Sequence, residues 1–430
     1  MTQTEIMELI EEEDVEFIRL QFTDILGLLK NVAVTPAQME KVLLNKYSFE
    51  GTAAFSGNCC SDETLYLYPD IETFTILPWR PQQGKVAKVV CDVYYEDGTP
   101  FTMDSRYVLR QVLNKAGEKG YRFKVDPECE FFLFHTDENG LPTTNTHEMA
   151  GYMDVGPVDF GENARRDIVM MLEEMGFEIE SSHHEGAPAQ HEIDFKEAEA
   201  GLMADKIQTF RFAVRSIAKR FGLHATFMPK PRGDMAGSGM HTSFKVFKDG
   251  ANLFADCDGQ ISDNVKYFVG GILKHFKALV AIANPIVNSY KRLISGFEAP
   301  SKIAWSSKGE YAAVKVIRST DAHKVELRFP DGSSNPYLLL AACIQAGLDG
   351  IENQIDPGAD VALDKASLSE KDNLPRNLKE ALDALLADDL IVNTLGKELV
   401  DIFVSIKEKE WDAYMQEVSD WEIGRYLTRV

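Results

Sequence analysis

The sequence predicts an α+β fold made of two parts, a small β-rich unit over residues 12–97 and a larger domain over residues 104–430. The first part contains runs of β-branched residues with turn-forming segments between them, whereas segments with helical periodicity dominate the second part. With 430 residues, of which 44% are hydrophobic and 26% are charged, the chain is long enough to form two sizeable cores.

The first part begins with a short acidic helix, which we expect over residues 4–14. Two strands follow, VEFIRLQF and KNVAV, with the turn-forming TDILG between them. The β-branched run KVAKVVCDVYY at residues 85–95 predicts another strand, which ends at the turn EDGTP. These segments together predict a small sheet.

The second part alternates helices and strands. Apolar residues at helical spacing predict helices over residues 163–176, 206–222, 265–284, 335–352, 376–387 and 394–417. Short strands are predicted at KVDPECEFFLF, HEIDF, HATFMP and KVELRFP. This pattern indicates a large, strand-rich domain without internal repeats.

Charge and cysteine content exclude several classes of protein. The formal net charge of −23 creates a field that repels nucleic acid and anionic membranes. The six cysteines are scattered without a CxxC pair, which is typical of reduced thiols. The acidic N-terminus lacks the basic region of a secretory signal, and the longest apolar stretches are too short to span a bilayer. We therefore expect a cytoplasmic protein with neither nucleic acid nor membrane as a partner.

The most informative residues are acids within apolar strands. In DPECEFFLF, Glu128 and Glu130 are two residues apart, a spacing that sends both side chains to one face of a strand. Two like charges beside the apolar FFLF need a cation nearby, or the pKa of one carboxyl must rise. The alternative is an ordinary strand face that is open to solvent.

A second pair of acids occurs in SSHHEGAPAQHEIDF. Glu185 and Glu192 lie on either side of a Gly-Ala-Pro break, which indicates two strand ends joined by a turn. The dipeptide His184-Glu185 superficially resembles the helix of a zinc peptidase, but Gly186 and Pro188 would interrupt that helix. An ordinary polar loop is the alternative here.

Two further segments carry polar candidates. In AGSGMHTSF, His241 follows Gly237 and Gly239, two glycines that could let the backbone approach a small ligand. A single histidine of this kind is more often structural than a ligand. In KVELRFPDGSSNPY, Glu326 and Arg328 share one strand face, where they could simply pair with each other.

Together these segments supply five carboxylates and one imidazole, on Glu128, Glu130, Glu185, Glu192, Glu326 and His241. Donor sets that are rich in oxygen favour Mg²⁺ or Mn²⁺ over zinc. The sequence contains neither a P-loop of the pattern GxxxxGKS/T nor the motif set of protein kinases. If ATP binds, a metal rather than a P-loop would hold its phosphates.

Several motifs resemble those of type I glutamine synthetases. They are DPECEFFLF, SSHHEGAPAQHEIDF, HATFMPKP, GSGMH, NPIVNSYKRLISGFEAP, VELRFPDGSSNPY and QAGLDGIE, with IRLQFTDILGLLKN and LYLYPD before them. The resemblance implies an N-terminal β-grasp domain and a catalytic domain whose curved antiparallel sheet is flanked by helices. It also implies a homo-oligomer, a dodecamer, in which each site lies between the catalytic domain of one subunit and the β-grasp domain of its neighbour.

The resemblance further implies a reaction and two metal sites. ATP would convert the glutamate γ-carboxylate into γ-glutamyl phosphate, which ammonia would attack to give glutamine. The ligands of one Mg²⁺ or Mn²⁺ ion are matched by Glu130, Glu185 and Glu192. Those of the second ion are matched by Glu128, His241 and Glu326.

Other positions match the substrate sites of the family. Arg292 resembles the arginine that holds the α-carboxylate of glutamate, and Glu298 resembles the flap acid that accepts a proton from ammonium. Gly237 and Arg328 match positions that contact substrate. The nucleotide region is matched by Glu180, Ser243, Lys315 and Lys324.

The chain departs from the family pattern at several positions. Glu50 replaces an aspartate that helps to form the ammonium pocket of the neighbouring subunit, and Cys59 replaces a basic residue connected with feedback regulation. Ala236 replaces an asparagine beside the amino-acid site. Glu310 aligns with a phosphate-facing arginine, for which Arg318 could substitute. Lysines stand in place of arginines at positions 315 and 324, which keeps the charge but loses the bidentate fork.

These departures leave two alternatives to a glutamate–ammonia ligase. A related ligase could join glutamate to another small amine, because Glu50, Ala236 and the loop after Trp305 line the expected nucleophile and substrate pockets. A regulatory assembly with little catalysis would instead account for the acid at position 310.

Overall fold

The computed structural model describes residues 2–54, 63–80, 83–255, 260–294, 299–308, 312–318, 322–362 and 373–430. The sequence predictions for Cys59, Glu298 and Glu310 lie outside these ranges. Within them, the strands form one sheet of five strands and one sheet of ten, which confirms the predicted α+β class.

The strands are β1 (Val15–Thr23), β2 (Leu29–Val34), β3 (Tyr47–Glu50), β4 (Thr64–Ile76), β5 (Lys85–Tyr94), β6 (Tyr121–His135), β7 (Ile179–His184), β8 (Gln190–Phe195), β9 (Ala198–Glu199), β10 (Leu223–Thr226), β11 (Met240–Lys248), β12 (Ala251–Asn252), β13 (Lys302–Ser306), β14 (Ala312–Arg318) and β15 (His323–Leu327). The α-helices are α1 (Gln3–Glu12), α2 (Met39–Leu43), α3 (Gly51–Ala54), α4 (Ser105–Glu118), α5 (Glu162–Glu174), α6 (Ala200–Ala218), α7 (Asp263–Lys274), α8 (Phe276–Ala283), α9 (Ser289–Ile294), α10 (Pro336–Asn353), α11 (Leu378–Leu386), α12 (Asp389–Leu395), α13 (Lys397–Gln416) and α14 (Asp420–Tyr426). Short 3₁₀ turns occupy Pro36–Gln38 and Lys219–Phe221.

The five-stranded sheet lies in the N-terminal part and has the strand order β2-β1-β5-β4-β3. Strands β1 and β5 pair in parallel, and the other neighbours pair antiparallel. Helix α1 precedes the sheet, and its first turn is closed by a capping box between Thr2 and Glu5. The predicted early helix and three predicted strands are therefore confirmed by α1, β1, β2 and β5.

The ten-stranded sheet lies in the larger part and has the main strand order β13-β14-β15-β11-β6-β8-β7. All neighbours along this order are antiparallel except β13 and β14. One face of the sheet is apolar and packs against helices: Phe210 of α6 contacts Phe131 of β6 and Phe195 of β8, with ring centroids 6.1 and 5.5 Å apart. The opposite face carries the charged side chains, as the alternating burial along β6 shows.

Each predicted helix is present, but α6 begins at Ala200, six residues before its predicted start, and one predicted helix is divided. The segment 265–284 forms two helices, α7 and α8, because the chain bends at His275. The imidazole of His275 lies between two carboxylates, 2.7 Å from Asp388 Oδ2 and 3.1 Å from Asp349 Oδ2. These contacts come from helices α10 and α12 and their caps, so helical periodicity within the segment could not indicate the bend.

No helix within the described ranges combines the length and the apolar character that crossing a membrane requires. The strands of the small sheet fall within residues 12–97 and those of the large sheet within residues 104–430. These limits of the two domains remain a prediction.

Candidate metal centre and active site

Antiparallel register arranges the charged face of the large sheet into rows. Directly paired residues share a face, and so do residues two apart along a strand. The first row across β11, β6, β8 and β7 consists of His241, Glu128, Asp194 and Ser181. The second row, two residues further along β6, consists of Glu130, Glu192 and His183. Glu128 and Glu130 thus share one face, as their spacing predicts, with polar side chains of neighbouring strands whose alignment the sequence alone could not show.

Glu128, His241 and Glu326 form one compact group. The Nδ1 atom of His241 is 3.1 Å from Glu128 Oε2 and 3.5 Å from Glu326 Oε1. Strand β15 brings Glu326 to this position by pairing it with Ser243 of β11. One ligand atom from each of the three residues lies within 4.8 Å of the others, a spacing that one cation could occupy. The structure therefore brings together the three residues that sequence resemblance assigned to one ion.

A second group contains Glu185 and Glu192, together with His183. The imidazole of His183 lies between the two carboxylates, with Nδ1 3.5 Å from Glu185 Oε1 and Nε2 3.6 Å from Glu192 Oε1. Glu185 follows the end of β7, and its backbone N–H donates to the carbonyl of Gln190 at 2.8 Å, which closes the turn. His183 was missed in the sequence, although its position two residues before Glu185 could have indicated a shared face.

Glu130 lies in the same row as Glu192, but other groups bind its carboxylate. Its Oε2 accepts hydrogen bonds from Gly239 N at 3.0 Å and from Gln190 Nε2 at 2.7 Å. Burial raises the pKa of Glu130, an effect that nearby His241 and Arg292 oppose. The structure thus places Glu130 beside the second group without including it in the close contacts of His183.

The electrostatics of this face favour a bound cation. Burial and the charges of Glu130, Asp194, Glu185 and Glu128 raise the pKa of Glu192 to about 11. Burial lowers the pKa of His241 to about 4, so its imidazole is neutral at physiological pH and can donate a lone pair to a metal. Carboxylates with one imidazole fit Mg²⁺ or Mn²⁺, since a divalent cation would relieve the repulsion among the acids.

Two arginines border the acidic groups. Arg328 Nη1 donates to Glu326 Oε1 at 2.9 Å, so the pairing considered from the sequence does occur, while Glu326 also faces His241. Arg292 is buried and donates to the backbone carbonyls of Phe329 at 3.0 Å and Arg328 at 3.1 Å. These hydrogen bonds fix the guanidinium against the strand that carries Glu326.

The glycines predicted to allow close approach lie beside Arg292. A Cβ atom on Gly237 would come within 2.1 Å of the carbonyl oxygen of Pro229. A Cβ atom on Gly239 would come within 2.5 Å of Arg292 Nη2 and 3.1 Å of Glu130 Oε1. A side chain at either position would displace these neighbours, so the packing requires glycine at both.

The four residues matched to the nucleotide region lie around the first group. Lys315 pairs with Glu326 in the register of β14 and β15, and Ser243 pairs with Glu326 from the other side. Lys324 forms an ion pair with Asp126, and Glu180 contributes to its electrostatic surroundings. Lys315 and Lys324 therefore supply positive charge beside the acidic groups.

Besides Lys315 and Lys324, two departures from the family pattern fall in described regions. Glu50 is exposed at the end of β3, in the small sheet. Ala236 is partly buried and packs against a small apolar cluster that contains Phe132, Phe134 and Ala187. An apolar side chain thus occupies the position at which an asparagine was expected.

A buried network that sequence reasoning missed lies next to the second group. Its members are Glu148, Asp159, Arg165, His184 and His191, all of which are buried. Arg165 Nη1 lies 2.8 Å from both Asp159 Oδ2 and His191 Nδ1, and His184 Nε2 lies 2.7 Å from Glu148 Oε1. A Cβ atom on Gly161 would come within 2.3 Å of His191 Nε2. Backbone therefore fills the space beside His191, and the contacts are those of a hydrogen-bonded network.

Comparison with known proteins gives matches along nearly the whole chain. Residues 14–96 match a family model described as the beta-grasp domain of glutamine synthetase, and residues 102–426 match one described as its catalytic domain. A protein of Clostridium saccharobutylicum named glutamine synthetase is 50% identical over 438 aligned positions, covering 100% of this chain and 99% of that protein. A protein of the same name from Thermus thermophilus is 45% identical over 440 positions, covering 99% of each.

Solved structures show the same architecture. A GmaS/ADP complex superposes with a TM-score of 0.89 at 33% sequence identity, covering 98% of this chain and 99% of that one. A ligand-free GmaS superposes with a TM-score of 0.88 at 33% identity, covering 99% and 100% of the two chains. The matched parts cover nearly the whole chain and therefore include both sheets.

Proposed function

Because the chain belongs to the glutamine synthetase family, we propose that it is a glutamate–ammonia ligase that uses ATP to form glutamine. The observation that carries this proposal is the convergence of Glu128, His241 and Glu326 on one sheet face, beside Glu185 and Glu192. These residues are distant in the chain, yet one ligand atom from each of Glu128, His241 and Glu326 lies within 4.8 Å of the others.

The acidic face would hold two divalent ions, Mg²⁺ or Mn²⁺. Glu128, His241 and Glu326 would bind one of them, and Glu130, Glu185 and Glu192 would bind the other. Bound there, the ions would offset the negative charge that gathers on the phosphoryl group during its transfer. The fit is supported by the oxygen-rich donor set, by the neutral imidazole of His241 and by the mutual repulsion of the acids.

Two arginines would position glutamate and stabilise the developing charge. Arg292 would bind the α-carboxylate of glutamate, and its guanidinium is already fixed by backbone carbonyls of the neighbouring strand. Arg328 would face the phosphoryl group, since Glu326 holds it beside the acidic groups. A preorganised donor of this kind contributes roughly 3–4 kcal/mol to the transition state of related reactions.

The nucleotide and the nucleophile would approach from two different sides. Lys315, Lys324, Ser243 and Glu180 would border the nucleotide, where the lysines offset the phosphate charge. Glu298 would accept a proton from ammonium, because the amine must be neutral before it can attack the acyl phosphate. Glu50 would reach the ammonium pocket from the neighbouring subunit of a dodecamer. We expect this assembly to work in the cytoplasm.

A product assay tests the proposal. Purified protein with Mg²⁺ or Mn²⁺, ATP and glutamate receives either ammonia or a panel of small amines, and released phosphate and γ-glutamyl product mass are measured. We expect phosphate release to depend on ammonia and to equal glutamine formation. Glu326→Gln provides the control for contaminating ligase activity. Product only with a larger amine would replace this proposal with an amine ligase, and ATP binding without turnover would favour a regulatory assembly.

A further inference from the structure

Glu148 is a buried carboxylate that joins three separate parts of the chain. Its Oε1 accepts hydrogen bonds from His184 Nε2 at 2.7 Å and from the backbone N–H of Ala189 at 2.5 Å. Its Oε2 accepts one from the backbone N–H of Phe160 at 2.8 Å. Burial opposes ionisation, but the hydrogen bonds from His184 and Ala189 lower the pKa of Glu148 to about 2. The side chain is therefore an anion whose acceptor positions are in use.

Glu148 contacts the turn that links Glu185 to Gln190. Ala189 within this turn has a φ of +66°, in the left-handed region that a residue with a Cβ atom seldom adopts. The backbone N–H that donates a hydrogen bond to Glu148 Oε1 belongs to this same residue. His184 ends the preceding strand, and its Nδ1 lies 2.7 Å from the carbonyl oxygen of Glu185. Glu148 thus fixes the turn at both ends.

The three residues proposed to bind one of the two ions, Glu130, Glu185 and Glu192, are all attached to this turn. Glu185 begins it, and Glu192 follows two residues after its last member, Gln190. The side-chain amide of Gln190 donates to Glu130 Oε2 at 2.7 Å. A displacement at Ala189 would therefore move Gln190 and Glu192 directly and Glu130 through its hydrogen bond. The residues Glu128, His241 and Glu326, by contrast, lie on strands that Glu148 does not contact through these hydrogen bonds.

If the position of Glu148 served packing alone, an apolar side chain would fill it at a lower free-energy cost than a buried carboxylate. An ionised carboxylate is expensive to bury unless every acceptor finds a donor. Ala187 and Ala189 of the turn already pack with Phe132, Phe134 and Met235 in a small apolar cluster. The carboxylate of Glu148 adds directional hydrogen bonds, which hold the turn in one position more strictly than apolar contacts do.

From these contacts we propose that Glu148 is a positioning residue, which holds the turn 185–190 so that the ligands of one divalent ion keep their geometry. The inference rests on the proposed function in so far as it assumes two metal sites on the acidic face. It predicts an effect on one of the two sites only. Partners that orient metal ligands typically change metal affinity by about 10–100-fold when they are removed.

The test uses Mn²⁺ binding to the full-length protein, measured by electron paramagnetic resonance and by titration calorimetry without substrates. We expect Glu148→Ala to weaken one of two Mn²⁺ sites by about 10–100-fold and to leave the other unchanged. Glu148→Gln keeps part of the hydrogen bonding and should give a smaller, still selective effect. It also keeps the test decisive if the alanine variant does not fold.

Asp388→Asn provides a matched control, because Asp388 also pairs with a histidine, His275, and accepts a hydrogen bond from the backbone N–H of Ile391, and neither partner belongs to the acidic face. We expect it to lower the unfolding midpoint without changing either Mn²⁺ site. Unchanged Mn²⁺ binding in both folded Glu148 variants would overturn the inference, as would equal weakening of both sites. Wild-type protein that binds two Mn²⁺ ions but forms no γ-glutamyl product would contradict the proposed function alone.

Discussion

His241 Nδ1 lies 3.1 Å from Glu128 Oε2, although 113 positions separate the two residues in the chain. The register of β11 against β6 pairs them directly, and β15 adds Glu326 on the other side of the histidine. Each residue alone has an ordinary structural explanation. Their convergence on a charged sheet face, in a chain of the glutamine synthetase family, is what supports metal-dependent ligase chemistry.

Removal of one carboxylate from this group should impair metal binding. We expect Glu326→Gln to reduce glutamine formation by about 100-fold or more, since a metal ligand outweighs the outer partners whose loss costs 10–100-fold. Steady-state rates across a Mn²⁺ titration measure the effect, which higher Mn²⁺ should partly reverse. Glu352→Gln, which removes a carboxylate that pairs with Lys119 at the surface, is the control. Wild-type rates in Glu326→Gln would argue against the metal role.

Arg328 offers a test of transition-state stabilisation. Arg328→Lys keeps the charge but loses the planar fork, so we expect kcat to fall by about 10²–10³ while KM for ATP changes little. The measurement is steady-state kinetics with ATP and glutamate varied in turn. Arg122→Lys, at an exposed pair with Glu199, should leave both constants unchanged. A change confined to KM would assign Arg328 to ground-state binding instead.

Glu50 should influence the choice of nucleophile. Glu50→Asp shortens the side chain by one methylene and would enlarge the ammonium pocket of the neighbouring subunit. Because one methylene is worth about 10–200-fold in discrimination, we expect kcat/KM for methylamine relative to ammonia to rise by roughly tenfold. Competition between the two nucleophiles, followed by product mass, measures the ratio. An unchanged ratio would place Glu50 outside the pocket.

Arg106, in helix α4, connects the small sheet to helix α6 and should be important for stability. Its guanidinium donates to Asp92 of β5, to Asp70 of β4 and, at 3.0 and 2.8 Å, to both oxygens of Asp205 in α6. Breaking a buried ion pair by removing one partner costs about 3–5 kcal/mol, whereas an exposed pair contributes about 0–1 kcal/mol. We therefore expect Arg106→Ala to lower the free energy of unfolding far more than Arg122→Ala does. Equal effects in denaturant titrations would contradict this.

His275 should make stability depend on pH. Burial alone would lower the pKa of His275, but its hydrogen bonds with Asp388 and Asp349 raise it, and the pKa of each aspartate is lowered. A raised histidine pKa adds stability that is fully present below the unfolded value of about 6.5 and is lost as pH rises through the folded pKa. The aspartates add stability that is lost as pH falls through their lowered values.

The matching experiment compares wild type with His275→Gln by denaturant unfolding at pH 5.5 and pH 9. We expect the difference in unfolding free energy to be larger at pH 5.5. An equal difference at both pH values would show that the imidazole charge does not contribute.

The sequence predicted secondary structure correctly where the spacing of apolar and polar side chains within one segment indicates a strand or a helix. Strand alternation placed Glu128 and Glu130 on one face, and helical periodicity indicated α5 and α10 to within two residues at each end. Prediction failed where neighbours distant in the chain decide the structure. The 13-residue strand β4 was not predicted; it contains Pro69, which the sheet accommodates beside an irregularity in the register of β4 with β5.

In the candidate site, too, the sequence indicated single residues, whereas contacts between distant strands could not be predicted. The ligand types and their family positions were available from the sequence, but the approach of His183 to Glu185 and Glu192 depends on the pairing of β7 with β8. Glu148 lies in an irregular segment between β6 and α5, where no period indicates burial. Its three hydrogen bonds come from distant residues, so only the folded chain reveals its position.

The most direct test is anomalous diffraction from a crystal of the protein soaked with Mn²⁺. We predict two peaks for each chain, one between Glu128, His241 and Glu326 and the other beside Glu185 and Glu192. Soaked crystals that diffract well but show no manganese on this face of the large sheet would contradict the account.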